Sequence, residues 1–197
     1  MKSSAALRQS GDPRQQVLDA VLTLFSARGY FATSVQDISR ESGVSVGSIY
    51  HHFGDKEGVA SALYRTLSDQ MSSSIARNVA QHRNAHDRAR AMVEMLFEMT
   101  ETEPRAMDFM LYAKHREFLP GEMPICSSKP FELMRGVVSV GMEASEIRSM
   151  DVMVASTSLF GGPIRMIMAR LDGVLQAPLP HYLEEVWDCA WRSVAAR

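Results

Sequence analysis

With 197 residues, 46% of them hydrophobic and 22% charged, the chain has the composition of a globular protein, either one domain or a small domain joined to a larger one. A formal net charge of −2, with six basic and six acidic residues before residue 65, excludes a strongly basic domain, so any DNA-binding face must be a local patch. The two cysteines, Cys126 and Cys189, predict neither a disulfide framework nor a metal site and indicate a reducing, cytoplasmic setting, and the first fourteen residues predict neither a signal peptide nor a membrane span.

The first helix follows a flexible arm, which we expect over residues 1–11. Asp12 is a suitable N-cap, and Pro13 fits the first helical position, where its missing N–H costs nothing. Apolar residues then recur at helical spacing until Gly29, which is predicted to end the helix.

Two short helices come next. The second helix has Thr33 or Ser34 as its N-cap and is predicted to end at Gly43. The third begins after Ser45, and Asp55 caps the fourth, which is predicted to reach about residue 79. The third helix is expected to bury Phe53 together with Val46 or Ile49.

The rest of the chain is helical in pattern as well. Pro104 opens a further helix, and residues 119–128 form a loop that contains Pro120, Gly121 and Pro124. A long helical pattern from 145 to 173 is interrupted by Gly-Gly-Pro at 161–163, so we expect a kink or break near Leu159. No alternating strand pattern occurs, and an all-α fold is predicted.

Two short helices joined by a glycine-containing turn predict a helix-turn-helix, whose second helix enters the DNA major groove. Gly47 weakens that helix, which is explained if the bases must come close, although a packing accident would also account for it. Tyr50 and His51 can donate to phosphate oxygens, and Lys56 can neutralise a phosphate. A metal site at His51 and His52 is disfavoured because adjacent helical residues point in different directions.

Three stretches of this region resemble the signature of the tetracycline-repressor (TetR) family of bacterial regulators. Residues 29–34, GYFATS, match a Gly-(Tyr/Phe)-x-x-(Thr/Ser) entry. Residues 38–44, ISRESGV, match an Ile-Ala-x-x-(Ala/Ser)-Gly-Val turn, with serine where alanine is usual. Residues 49–57, IYHHFGDKE, match an (Ile/Leu)-Tyr-x-(His/Tyr)-Phe-x-x-Lys-Glu run. Gly58 stands where the family commonly has a residue that favours helix, so the first turn of the fourth helix is predicted to be less stable.

The resemblance implies a helix-turn-helix DNA-binding domain over residues 12–55 and a helical effector-binding and dimerisation domain over residues 56–197. It implies a homodimeric repressor that a small effector releases from a palindromic operator in double-stranded DNA. Because the third helix lacks Arg, Asn and Gln, we expect much of the specificity to come from DNA shape. The expected DNA contacts are Thr33, Ser34, Ser45, Val46, Gly47, Ser48, Tyr50, His51 and Lys56.

Methionine is the unusual residue of the larger domain, where 12 of the 14 methionines lie between residues 92 and 168. Flexible methionines suit a pocket for varied apolar ligands, and a loosely packed core is the alternative. An aromatic or lipid-like effector is therefore predicted, and no cofactor. The residues predicted to bind it are Met95, Met99, Phe109, Met110, Tyr112, His115, Phe131 and Met134.

Dimerisation is expected through small and apolar residues of the last two helical regions, unless these faces belong to the core of the subunit itself. The residues of these faces are Val152, Ala155, Ser156 and Leu159, then Val186, Ala190 and Val194.

Competing interpretations remain. An enzyme would have to use His115 or Cys126, and no catalytic or nucleotide-binding motif supports one. An interaction protein of this fold, or a regulator without a small-molecule effector, is the other alternative. A redox role of Cys126 and a metal site at His82 and His86 are both weakly supported, since neither has a second indicator in the sequence.

Overall fold

This computed structural model describes residues 11–113, 115–119 and 127–196. These residues contain ten α-helices and a short 3-10 turn. No strand forms within these ranges, where one isolated antiparallel bridge joins Ile147 to Ala195. The all-α prediction is confirmed. The helices are α1 Pro13–Arg28, α2 Val35–Ser42, α3 Val46–Phe53, α4 Lys56–Ala80, α5 Ala85–Thr102, α6 Pro104–Tyr112, α7 His115–Phe118, α8 Lys129–Glu143, α9 Val152–Leu171 and α10 Leu183–Arg192, with the 3-10 turn at Leu179–Tyr182.

The helices group into two units, each with its own buried core. Unit 1 comprises Met1–Leu67 and Arg105–Pro124, and unit 2 comprises Ser68–Pro104 and Ile125–Arg197. Helix α4 contributes its first turns to unit 1 and the rest to unit 2. This grouping rests on contacts within the chain and does not test the functional boundary after residue 55, which stays a prediction.

Unit 1 is built around α1, α2 and α3. Val17 and Val21 of α1, Ile38 of α2 and Ile49 of α3 have no exposed surface, so each short helix is anchored by one isoleucine. Full burial of such a side chain stabilises the fold by about 1.5–3 kcal/mol. Of the two residues expected to be buried at the start of α3, Ile49 is the one in the core, whereas Val46 is half-buried.

The predicted helix ends of unit 1 are confirmed. The carboxylate of Asp12 accepts from the Arg14 amide at 2.9 Å, and that of Asp55 accepts from the Gly58 amide at 2.7 Å. Gly29 and Gly43 follow α1 and α2, both with positive φ. Of the two candidates for the second N-cap, Ser34 holds the position: its hydroxyl accepts from the Asp37 amide at 3.1 Å.

Hydrogen bonds from Ser39 and Gly43 help to close the turn between α2 and α3. Gly43 has φ 73° in the left-handed region that glycine adopts without strain, and its N–H donates to the Ser39 carbonyl at 3.0 Å. The Ser39 hydroxyl donates to the Val44 carbonyl at 2.7 Å. The serine that replaces the usual alanine of the turn motif therefore adds a bond that an alanine could not make.

Unit 2 is centred on α5, which packs against α8, α9, α10 and the 3-10 turn. Phe97 and Met92 of α5 are fully buried. Near the end of α5, the Glu101 carboxylate accepts from Arg170 of α9 at 2.9 Å and from the Leu179 amide at 2.9 Å. These bonds, with a direct ion pair to the guanidinium, lower the pKa of Glu101. One carboxylate thus fixes both the end of α9 and the start of the 3-10 turn.

Helix α9 runs without a break from Val152 to Leu171, so the break expected at Gly161-Gly162-Pro163 is absent. A proline in a helix removes one N–H donor, here the one that would face the Leu159 carbonyl. Leu159, Pro163 and Ile167 are all buried along one side of α9, and this packing offsets the lost bond. Helix α9 is also long and apolar enough to cross a membrane, with a mean hydropathy of 1.3, a property that core helices of soluble proteins share.

The two faces expected to mediate dimerisation are for the most part core of unit 2. Ala155 and Leu159 of α9 have no exposed surface, and Ala190 and Val194 near the C-terminus are buried as well. The alternative interpretation, an intramolecular core, is therefore the correct one for these faces. Helix α9 leaves a different side exposed, with Met153 at 49% and Val154 at 56% exposure.

Candidate nucleic-acid interface

Helix α3 is held at its start by Ser45, whose hydroxyl accepts from the Ser48 amide at 3.2 Å. Because Ile49 faces the core, the opposite side of the helix must face solvent. Tyr50 is 47% exposed, and the other exposed residues are Gly47, His51 and His52, whereas Val46 and Ser48 are partly exposed.

Gly47 has no neighbour that requires a glycine. A Cβ built on it would meet no heavy atom within 4 Å, and its φ is not in the left-handed region. The helix would therefore gain about 1 kcal/mol from alanine at this position. Within the described residues nothing packs against Gly47 closely enough to exclude a side chain, and the close approach of DNA at this position stays a prediction.

Tyr50 and His51 offer hydrogen-bond donors from the exposed side of α3. Neither side chain carries a permanent charge, and both present a flat body with a polar tip. The ring centroids of His51 and His52 lie 5.3 Å apart at an interplanar angle of 66°, an edge-to-face contact. This surface can contact phosphate oxygens at several points while adding little charge.

Helix α2 begins with a reciprocal capping box. The Asp37 carboxylate accepts from the Ser34 amide at 3.0 Å and from the Ser34 hydroxyl at 2.7 Å, while Ser34 caps the Asp37 amide. These bonds from Ser34, followed by nearby Arg28 and Arg40, lower the pKa of Asp37. Ser34 is exposed and thus remains at the surface, next to the N-terminal amides of α2.

Thr33 does not have the exposure that its predicted DNA contact requires. Its side chain is 2% exposed, and its hydroxyl donates to the Gly29 carbonyl at 2.9 Å. It closes the turn between α1 and α2 from inside. Of the two hydroxyl residues at this helix start, Ser34 alone faces solvent.

Lys56 is engaged within the protein. Its ammonium donates to the carbonyl oxygens of Tyr30 at 3.1 Å and Thr33 at 3.0 Å, and lies 4.1 Å from the centroid of the Tyr30 ring. Partial burial lowers the pKa of Lys56. Two of its three N–H donors thus hold the turn that leads to Ser34, and the direct phosphate contact expected from the sequence stays a prediction.

The role of Tyr30 was not predicted from the sequence. Its ring lies under the Lys56 ammonium and stacks on Phe118 at 4.3 Å and 12°. Burial, with the nearby carboxylates of Glu57 and Asp55, raises the pKa of Tyr30. The Gly-Tyr entry of the first motif was the available signal, because it placed an aromatic residue at a fixed distance before the second helix.

The residues predicted to bind an effector are divided between the two units. In unit 2, Met134 is buried, while Met95, Met99 and Phe131 are partly exposed. In unit 1, Phe109 and Met110 are buried and Tyr112 is 36% exposed. The side chain of His115 lies outside the described residues, as do Cys126 and the arm over residues 1–10. The prediction of one shared ligand site stays a prediction.

His82 and His86 both have hydrogen bonds of their own in unit 2. The Nδ1 atom of His82 lies 3.0 Å from the Asn78 carbonyl oxygen, and Nδ1 of His86 lies 2.9 Å from the Asp87 carboxylate. The Trp187 indole N–H donates to Nε2 of His86 at 3.2 Å. Nε2 of His86 thus joins α5 to α10, while its Nδ1 bonds within α5.

Comparisons with known proteins agree with this geometry. The family described as bacterial regulatory proteins, tetR family, matches residues 17–63, which span α1 to α3 and the start of α4. An HTH-type transcriptional repressor, KstR2 of Rhodococcus jostii, is 30% identical over 149 residues, 72% of each chain. The fatty acid metabolism regulator protein of Bacillus subtilis is 23% identical over 166 residues, 79% of this chain and 81% of its own.

Solved structures share the fold over nearly the whole chain. The fatty acid degradation regulator FadR from Bacillus halodurans superimposes with a TM-score of 0.81 at 17% identity, covering 93% of this chain and 97% of its own. FadR from Bacillus subtilis, solved in complex with stearoyl-CoA, gives a TM-score of 0.76 at 18% identity and covers 88% and 95%. With its family motifs on α1–α4 and a repressor as a relative over most of its length, the chain belongs to the tetR family of bacterial regulatory proteins and is a DNA-binding transcriptional regulator.

Proposed function

We propose that the exposed side of α3 and the start of α2 contact an operator in double-stranded DNA. The observation that supports this most directly is Gly47, an exposed helical glycine with no neighbour in the described chain that requires it. A backbone without a side chain there lets the helix lie close to the base edges. The contacts we propose are Ser34, Ser45, Val46, Gly47, Ser48, Tyr50 and His51.

These contacts divide by chemistry. The hydroxyls of Ser34 and Tyr50 and the imidazole of His51 reach phosphate oxygens, and the helix N-termini add their amides and partial positive charge. Val46 contacts a thymine methyl, and Ser48 contacts a base edge. Since α3 has no side chain for bidentate base recognition, DNA shape supplies much of the specificity.

Lys56 acts in this scheme through Ser34. Its ammonium fixes the carbonyls of Tyr30 and Thr33, which immediately precede the exposed cap of α2. A cap that is pre-positioned loses less conformational freedom when DNA binds. Lys56 is thus proposed as a positioning residue for Ser34.

A homodimer is the assembly that this function requires. Two-fold symmetry places two copies of α3 about 34–36 Å apart, one turn of DNA, which matches a palindromic operator. The side of α9 with exposed Met153 and Val154 replaces the faces first predicted, because it is not used by the core of unit 2.

The proposed effector is lipid-like. Met95 and Met99 of α5 and Phe131 of α8 are partly exposed apolar residues of unit 2, and methionine adapts to a flexible acyl chain. A relative is named a fatty acid metabolism regulator, and a structural neighbour was solved with stearoyl-CoA. The ligand acts by favouring dimers whose α3 helices are spaced wrongly for the operator. The alternative is a regulator of this family that needs no small-molecule effector.

We further propose that the protein works in the cytoplasm, where its DNA is, and that it has no catalytic role. Its relatives are transcriptional regulators, and a regulator acts by binding alone.

The test of DNA binding is fluorescence anisotropy with labelled duplexes from the sequence flanking the gene, at several salt concentrations. We expect Tyr50→Ala to weaken binding about ten-fold, because it loses a hydrogen bond to a charged group. Val174→Ala is the matched control, since Val174 is 70% exposed in unit 2. Equal affinity of wild type and Tyr50→Ala, at equal melting temperature, would contradict the proposed interface.

The test of the effector compares stearoyl-CoA with coenzyme A in the same assay. We expect the acyl thioester to lower operator affinity and coenzyme A to leave it unchanged. Calorimetry then measures the affinity for stearoyl-CoA with and without operator. Equal affinities in both states would rule out an effector role, because a ligand shifts an equilibrium only through its differential affinity.

A further inference from the structure

A cation–π contact joins the first turn of α1 to the end of α3 within unit 1. The Arg14 guanidinium lies over the ring of Phe53, 5.5 Å from its centroid. The Phe53 ring in turn meets the His52 ring with centroids 6.2 Å apart, and His52 meets His51 at 5.3 Å. Arg14 therefore lies at one end of a row of side chains that leads to the exposed side of α3.

The Arg14 guanidinium differs from the other two in α1–α3. Arg28 and Arg40 both lie beside the Asp37 carboxylate, at 3.5 and 3.3 Å. Within the described residues, the guanidinium of Arg14 has neither an ion pair nor a hydrogen-bond acceptor. The nearby Asp12 carboxylate accepts from the backbone amide of Arg14, at 2.9 Å. The Arg14 side chain is exposed, so its positive charge is open to a partner from solvent.

The ring of Phe53 positions this cation without using its N–H donors. A guanidinium is planar and weakly hydrated, so it can contact an aromatic face and still present N–H groups at its edge. Such a fork of donors matches the oxygens of a phosphate. Because the contact with Phe53 already restricts the side chain of Arg14, less conformational freedom is lost when an anion binds.

The end of α3 is the part of this helix where a phosphate needs a cation. A helix C-terminus carries about half a negative charge, which repels the DNA backbone. His51 and His52 lie in the last turn, but an imidazole has no permanent charge, whereas an arginine is always charged. A recognition helix meets base edges with its N-terminal residues, and in homeodomains its C-terminal end contacts the backbone.

We propose that Arg14 binds a backbone phosphate of the DNA beside the end of α3. The contact carries no sequence information, because phosphates are the same at every base pair. It extends the proposed interface from α2 and α3 to α1 and adds a permanent positive charge to it. This inference rests on the proposed DNA-binding function.

Fluorescence anisotropy tests the contact with two labelled duplexes, the one from the flanking sequence that wild type binds best and a scrambled duplex of the same length. We expect Arg14→Gln to weaken binding to both duplexes several-fold and by a similar factor. The slope of log affinity against log salt concentration should become shallower by about 0.9. Arg14→Lys should keep the wild-type slope, because it keeps the charge.

Arg77→Gln is the matched control, since it removes the same charge from an exposed arginine of α4 in unit 2. It should leave the affinity and the salt slope unchanged. Melting temperatures of all variants measure the competing role, in which Arg14 only covers the Phe53 ring. That role would lower the melting temperature of Arg14→Gln without changing the salt slope.

The outcomes separate this contact from the function on which it rests. If wild type binds DNA and Arg14→Gln keeps the wild-type salt slope, the phosphate contact is wrong and the DNA-binding function stands. A loss of affinity confined to the flanking duplex would also overturn the contact, because it would indicate base recognition. If wild type bound neither duplex even at low salt, the proposed DNA-binding function and the contact would both be wrong.

Discussion

Lys56 and Tyr30 are joined in two ways: the ammonium of Lys56 donates to the Tyr30 carbonyl at 3.1 Å and lies 4.1 Å from the centroid of its ring. The same ammonium donates to the Thr33 carbonyl at 3.0 Å. The first residue of α4 is thereby tied to the turn between α1 and α2, which is 26 residues earlier in the chain. Lys56, which the family motif leads us to expect beside DNA, is thus also a structural residue of unit 1.

This relationship predicts the effect of Lys56→Met. The variant keeps the length and apolar contacts of the side chain but loses both hydrogen bonds, so we expect it to lower the free energy of unfolding by about 1–2 kcal/mol. Operator affinity should fall as well, because Ser34 is no longer held. Urea denaturation and anisotropy measure the two effects.

The salt dependence of the same variant separates positioning from a direct phosphate contact. If Lys56 acts by holding the turn, the slope of log affinity against log salt concentration stays that of the wild type. If its main role is to neutralise a phosphate, the slope becomes shallower by about 0.9 and stability changes little. The second pattern would contradict the positioning role.

The role of Gly47 predicts opposite effects on stability and on binding. Gly47→Ala should raise the free energy of unfolding by about 1 kcal/mol, because alanine is the better helix former and its Cβ meets open space. The same Cβ should lower operator affinity by blocking close approach. Thermal melting and anisotropy on one preparation test both effects.

Gly136→Ala is the matched control for Gly47→Ala. Gly136 is also an exposed glycine inside a helix, α8 of unit 2, and a Cβ there meets nothing within 4 Å. It should stabilise the protein to a similar degree and leave operator affinity unchanged. If Gly47→Ala also left affinity unchanged, the close-approach interpretation would be wrong.

Local signals predicted unit 1 well because its helices are short and have definite ends. The caps at Asp12, Ser45 and Asp55 and the turn at Gly43 depend on side chains within a few residues of the bonds they make. Such bonds can be predicted from spacing alone. The family motifs added the order of the helices, which no single cap gives.

The features that the sequence did not predict depend on contacts between residues that are distant in sequence. Thr33 and Ser34 look alike as hydroxyl residues, and only the fold decides that one is buried and the other exposed. Lys56 finds its acceptors 23 and 26 residues earlier in the chain. Pro163 lies inside a helix because its buried neighbours outweigh one lost hydrogen bond, a balance that local propensity does not contain.

Gly58 was expected to make the first turn of α4 less stable. The structure gives a more specific reason for a glycine at this position. A Cβ at this position would lie 1.9 Å from the Phe53 carbonyl oxygen, which is backbone and cannot move aside cheaply. The Gly58 N–H donates to the Asp55 carboxylate at 2.7 Å. Glycine here permits a close approach between the end of α3 and the start of α4.

Gly58→Ala should therefore destabilise the protein by about 1–3 kcal/mol, despite the better helix propensity of alanine. Thermal melting beside Gly47→Ala and Gly136→Ala provides the comparison, because all three substitutions are the same chemical change within helices. A rise in melting temperature for Gly58→Ala would show that α3 and α4 can separate without cost.

The bonds of Glu101 predict how the stability of unit 2 depends on pH. Its folded pKa lies below the ordinary value of 4.5, because Arg170 and the Leu179 amide favour the carboxylate. A lowered folded pKa means that the stabilisation is fully present above pH 4.5 and is lost as the pH falls through the folded value. Glu101→Gln should therefore be less stable than wild type at pH 7, and the difference should shrink below pH 4.5.

Urea denaturation at pH 7 and at pH 3.5 measures this difference, with tryptophan fluorescence as the signal, since both tryptophans belong to unit 2. Glu185→Gln is the matched control, because Glu185 is exposed on α10 and no bond to Leu179 or Arg170 depends on it. We expect the control to follow wild type at both pH values. A Glu101→Gln deficit that is equally large at pH 3.5 would mean that lost packing, rather than the charge of Glu101, accounts for the instability.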